Sequence, residues 1–113
     1  MIESYSFGRM TAHGHVYTDD VLMCREMLIS PWWRQRGHVV TLQDLAPVLD
    51  HKPEILILGQ GKPGQMKAAP DLQGQLQQLG IDLVQVPTEE AVRRFNRHLE
   101  QEDHVCGGFH LTC

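Results

Sequence analysis

The stretch from Glu54 to Gly61 limits the possible folds of this chain more than any other. Ile55, Leu56, Ile57 and Leu58 form an unbroken apolar run, and Gly59-Gln60-Gly61 ends it. A run this short, apolar on both faces and closed by glycine, reads as a strand buried on both sides. The rest of the second half can be laid against it.

Pro70 to Leu79 carries Leu72, Leu76 and Leu79 on one helical stripe, with proline in the first turn and Gly80 just past the end. Gly74 inside it costs about 1 kcal/mol relative to alanine unless close packing requires it. Ile81 to Val86 then reads as a strand, completing a βαβ unit that should be parallel and right-handed. Thr88 is expected to cap a longer helix opening on Glu89 and Glu90, with Ala91, Val92, Phe95 and Leu99 on its apolar face. Ile55–Leu58 should be an interior strand with Ile81–Val86 beside it in parallel, unless the last strand, Val105 to Thr112, inserts between them. Its Gly107 and Gly108 leave room for a helix or a neighbouring backbone to approach.

The first half is less regular. Residues 2 to 29 read as two or three short antiparallel strands, with a hairpin around Ala12 to His15 and a turn at Asp19-Asp20. Thr41 to Asp44 fits a capping box before a helix that Pro47 keeps to one or two turns. Together these elements make an α/β fold: one layered domain over residues 1–113, with an N-terminal β-hairpin or meander.

With 113 residues, 42% hydrophobic and 21% charged, the chain can bury a core of ordinary size. A formal charge of −4 disfavours a nucleic-acid partner. Arg93, Arg94, Arg97 and His98 read as the solvated face of a helix. No run approaches the roughly 20 apolar residues of a membrane span, and the first residues lack the pattern of a secretory signal. Cys24, Cys106 and Cys113 are odd in number and have no Cys-x-x-Cys spacing. Two could pair only if the fold brought them together, and reduced thiols in a cytoplasmic protein are the expectation.

Trp33-Arg34, Gly37-His38, Pro53 to Gly61, Leu79-Gly80-Ile81, Thr88 to Ala91, Phe95-Asn96 and Gly107 to Cys113 together resemble the Mth-type domain family. The family's members include a mitochondrial complex I assembly factor, an adipogenesis-associated animal protein and many bacterial proteins. The resemblance covers nearly the whole chain and is most specific in its second half. It implies a mixed central sheet flanked by helices, no catalytic residues and no cofactor to carry over, and a role as an interaction or assembly module with a protein partner.

Two places could serve a function. Gly59-Gln60-Gly61 falls at the carboxyl edge of the buried strand, where open α/β sheets bind ligands, and its N–H groups could hold a phosphate or carboxylate with Thr88 and His110 nearby. It does not complete Gly-x-Gly-x-x-Gly, and no P-loop lysine follows. The alternative is Trp32-Trp33 after Pro31. Adjacent residues of an extended segment point to opposite sides, so one ring should be core and the other accessible, with Arg34 or Arg36 beside it. His13 and His15 would share a strand face, but two ligands do not make a metal site, and none is expected. His110 near Cys106 lacks the orienting group and oxyanion hole of a Cys–His nucleophile, and reads as a hydrogen-bonded histidine at the core edge.

Overall fold

A computed structural model describes all residues 1–113. Ten strands appear in chain order: β1 Ile2–Ser6, β2 Arg9–Ala12, β3 His15–Tyr17, β4 Val21–Cys24, β5 Leu28–Ile29, β6 Val39–Val40, β7 Ile55–Gly59, β8 Lys67–Ala68, β9 Asp82–Val86 and β10 Val105–Phe109. The helices are α1 Ala46–Leu49, which follows a 3-10 turn at Gln43–Leu45, α2 Leu72–Gln78 and α3 Thr88–Glu100.

The buried strand is β7, and it is interior. The central sheet has the order β5-β4-β10-β7-β9, with β10 and β9 both parallel to β7 and β4 antiparallel to β10. The sheet is therefore mixed. β10 fills the edge of β7 opposite β9 and does not insert between them. A small meander, β1-β2-β3, stands apart from it.

Side-chain alternation divides the core into two layers. Ile57, Val21, Met23 and Phe109 face α3 and the meander, where they meet Phe95, Val92 and Met10. Leu56, Leu58, Leu22 and Cys106 face the other way, toward Leu72 and Leu76 of α2, Val48 of α1 and Trp32. Phe95 and Phe109 meet edge to face, with ring centroids 5.5 Å apart. The two glycines of β10 make room for aromatic rings rather than for backbone. A Cβ at Gly107 would stand 2.7 Å from the Phe109 ring, and one at Gly108 would run into the Trp32 indole.

Several local expectations change. Residues 2 to 29 form five strands rather than two or three: turns at Phe7-Gly8 and His13-Gly14 join β1 to β2 and β2 to β3, and β4 and β5 belong to the central sheet. His13 sits in the second turn at φ 52°, off the strand that holds His15, so the shared-face argument for a metal pair does not hold. The last strand stops at Phe109: the His110 N–H still donates to Gly59 O of β7, but beyond it the chain bonds to loops, with Leu111 O, Thr112 O and Cys113 O accepting from the N–H groups of Gly8, Lys62 and Gln65. Thr88 does not cap α3; its hydroxyl is buried and committed elsewhere.

The thiol expectation is overturned as well. Cys24 and Cys106 are directly opposed on β4 and β10, and they form a disulfide. Their Cα atoms are 4.2 Å apart, close to the spacing of a non-hydrogen-bonded antiparallel pair. This register arises only in the folded sheet, so spacing along the chain could not show it. Cys113 is free and exposed.

Candidate functional site

Three distant segments meet at Asp20, which opens β4. One Asp20 oxygen, Oδ2, accepts from His110 Nδ1 at 2.7 Å and from Arg34 Nη2 at 2.7 Å, and Oδ1 accepts from the Leu111 N–H at 2.8 Å. Its backbone carbonyl accepts from the Trp32 N–H at 2.9 Å. Burial pushes the Asp20 carboxyl up, but the hydrogen bonds from His110, the Leu111 amide and Arg34 outweigh it, and its pKa falls below the ordinary carboxylate value. The carboxylate is thus charged, and it ties β4, the Trp32–Arg34 segment and the chain after β10 together.

A second buried carboxylate holds the other end of that segment. Asp44 Oδ2 accepts from the Thr41 N–H at 2.9 Å and from the Thr41 hydroxyl at 3.1 Å, the reverse half of the expected capping box. The Asp44 carbonyl accepts from Trp32 Nε1 at 3.0 Å. Trp32 is buried over Gly108, and the Arg34 guanidinium lies 4.6 Å from its ring centre. Arg34 is therefore turned inward, with its side chain only 6% exposed. It also bonds the Gly37 carbonyl and so closes the loop on itself.

Between these two anchors the chain turns outward. Trp33 is 83% exposed, more than any other large apolar side chain here. Arg36, Gly37 and His38 are exposed beside it. Arg36 forms part of the wall of a cavity of about 540 Å³, with Gln35, Leu42 and Gln75. Residues 31 to 41 include Arg34, Arg36 and His38 and no acid, although the chain as a whole is negative. Phe7, also exposed, belongs to a turn fastened to the same edge, where the Gly8 N–H donates to Leu111 O at 2.7 Å.

The glycine turn is built differently. Gln60 N–H donates to Val86 O, Gly61 N–H to the Thr88 hydroxyl at 2.8 Å and Lys62 N–H to Thr112 O. Thr88 Oγ1 in turn donates to His110 O at 2.6 Å. Each of these three N–H groups already has a partner, so the turn offers none of them to an anion. Gly61 adopts φ 93°, and a Cβ there would meet the Thr112 carbonyl and the His110 ring. Gly59, at ordinary φ, is hemmed in by Phe109, Thr88 and Ala91. Gly59, Gly61, Thr88 and His110 thus come together as a buried joint, with Gln60 partly exposed at its rim.

His110 Nε2 is buried without a hydrogen-bond partner, as is Arg34 Nη1. His38 packs against the His110 ring, with centroids 5.0 Å apart. His110 lines none of the cavities of about 260, 540, 340 and 500 Å³. A cavity of about 340 Å³ opens beside Gly61, walled by Tyr5, Lys62, Glu89 and Arg93. The Tyr5 hydroxyl donates to Leu111 O at 3.0 Å, and burial together with the charges of Glu89 and Asp20 raises its pKa. On α3, Arg93 and Arg94 pair with Glu89 and Glu90 one turn earlier, so that face is balanced rather than basic. No group of three or more His, Cys, Asp or Glu residues converges as a metal site would require.

Along the chain, Arg34 and His110 point to different sites. Asp20 joins them in the fold, although in sequence it looks like no more than half of an Asp-Asp turn.

The family model described as "Protein of unknown function (DUF498/DUF598)" matches residues 2–110. Among solved structures, the protein named MT938 is 26% identical, with the alignment covering 100% of this chain and 98% of that one at a TM-score of 0.82. A conserved hypothetical protein from Pyrococcus horikoshii OT3 is 18% identical, covering 100% and 99% at 0.82. A Bordetella pertussis protein described as a Mth938-like domain is 18% identical, covering 98% and 85% at 0.78. At those identities the last two likenesses concern the fold alone.

Proposed function

We propose, for a chain that belongs to the DUF498/DUF598 family of Mth-type domains, a role as a protein-docking module whose contact surface is the Trp33–His38 connection. One observation carries this reading: Trp33 is 83% exposed on a segment whose two ends are pinned by the buried carboxylates of Asp20 and Asp44. An exposed tryptophan on a loose loop would lose much of its binding energy to ordering. Here Trp32, Arg34 and the Arg34–Gly37 bond hold the backbone before a partner arrives, and preorganisation of this kind lowers the cost of association. Tryptophan and arginine are also the side chains most enriched at binding hot spots.

The local charge indicates the kind of partner. With Arg36 and His38 exposed and no acid between residues 31 and 41, the surface suits a protein segment that presents an apolar recess flanked by acidic side chains. The cavity beside Arg36, with Asp71 on its wall as well, adds a concave place lined mostly by polar residues next to this surface. No helix is long and apolar enough to cross a membrane.

Capture of binding proteins from the source cell by wild type, Trp33→Ala and Arg36→Glu, each with its urea midpoint recorded, tests the reading. One partner with an acidic binding segment should be lost from both variants while their midpoints stay at the wild-type value. Equal capture by all three proteins would refute it.

A reading in which the Gly59–Gly61 edge binds an anion or nucleotide-like ligand has less support, because the N–H groups of Gln60, Gly61 and Lys62 are already paired.

A further inference from the structure

The Cys24–Cys106 disulfide lies in the wall of a cavity. Both cysteines line a recess of about 260 Å³ at the end of the sheet opposite Asp20, together with Arg25, His51, Pro53 and His104. Arg25, His51 and His104 are exposed, so the recess opens to solvent at its rim. Its base is a sulfur–sulfur bond that the domain has other means of replacing. β10 is held by five parallel partners on β7 and by three further pairs with β4 beyond the cysteine pair itself. The disulfide thus bridges strands that are already hydrogen-bonded neighbours.

We propose that Cys24–Cys106 is a redox site that exchanges with small thiols entering through this recess. A thiolate attacks Cys24 Sγ, on the residue that neighbours the exposed Arg25 at the rim of the recess. The Cys24–Cys106 bond breaks, its electron pair leaves on Cys106 Sγ, and that thiolate takes a proton from water. A second external thiol, deprotonated, attacks the external sulfur of the mixed disulfide. Cys24 Sγ leaves with the electron pair and is protonated in turn. Two external thiols have then become one external disulfide, and the protein holds two thiols, so two electrons and two protons have moved inward. The rim carries both signs of charge, with Arg25, His51 and His104 beside Glu26 and Asp103, so it can hold a small zwitterionic thiol such as glutathione through either its carboxylates or its amine. Exposed Cys113 plays no part and is replaced in the test so that it cannot compete for the external thiol.

The test uses the folded protein in a Cys113→Ser background, reduced glutathione as the attacking thiol, and alkylation with intact-mass detection. Disulfide opening is timed in buffer and again in denaturing urea, while circular dichroism follows the fold in buffer. The expected result is complete opening in buffer with the spectrum unchanged, since the recess reaches the disulfide without unfolding, and slower than in urea because both cysteines are buried. In a further Cys106→Ser variant, oxidised glutathione should leave one glutathione on Cys24, the Cys24 thiolate attacking one sulfur of that disulfide and releasing one reduced glutathione. Opening that requires urea, or loss of the fold on reduction, would overturn the site, as would free Cys24 and Cys106 thiols in the air-oxidised protein. The pair of rates with Cys24 and Cys106 intact stands as a test even if the Cys106→Ser variant does not fold.

Discussion

His110 Nδ1 lies 2.7 Å from Asp20 Oδ2, although 90 residues separate the two in the chain. The contact joins the start of β4 to the segment that leaves β10, and Arg34 closes on the same oxygen. The central sheet and the Trp33 connection are thereby fixed to one another.

Asp20 should therefore give the protein an acid-sensitive stability. Its pKa is lower in the folded chain than in the unfolded one, so its contribution is present above the ordinary carboxylate range. That contribution disappears as the pH falls through the folded value. Asp20→Asn should cost about 3 kcal/mol near neutral pH, as expected when one partner of a buried ionic cluster is lost. Urea unfolding at a series of pH values should show the wild type losing stability on acidification while the variant changes less.

Gly108 and Trp32 should behave as a coupled pair. A Cβ on Gly108 would overlap the indole, so Gly108→Ala should destabilise by about 1–3 kcal/mol through overpacking. In a Trp32→Leu background the same change should cost clearly less, because the clashing ring is gone. A double-mutant cycle measured by urea unfolding gives the interaction energy, and simple additivity would show that the two do not touch.

Gly74 has the opposite character. It lies inside α2, where an added Cβ would meet nothing within 4 Å, and its φ is not positive. Gly74→Ala should accordingly stabilise the domain by about 0.5–1 kcal/mol, through helix propensity and a less flexible unfolded chain. The thermal midpoint reports it directly.

Much of the architecture is legible locally. The apolar run of β7, the βαβ spacing to β9 and the stripe of α3 are patterns within one segment, and each segment folds as its pattern demands. The Trp32-Trp33 alternation is legible for the same reason, since neighbouring residues on an extended chain must diverge. The joints between segments are not. Asp20 looks like a turn residue because its partners, Arg34 and His110, lie far along the chain. The Cys24–Cys106 bridge depends on the register of β4 against β10, which no local pattern specifies. Thr88 looks like a helix cap because its type and position fit one, whereas the fold uses its hydroxyl to fasten Gly61 to His110. The glycine turn that looks open to a ligand in sequence is closed by these same non-local bonds.

Docking through Trp33 is tested most directly by placing a photo-crosslinking amino acid at position 33 in the source cell, with position 79 as a control, since Leu79 is also exposed but lies at the far end of α2. Irradiation should yield one discrete protein adduct from position 33 and none from position 79, and Arg36→Glu should diminish that adduct without lowering the amount of folded protein. No adduct at position 33, or the same adducts from both positions, would contradict the proposal that this connection is the contact surface.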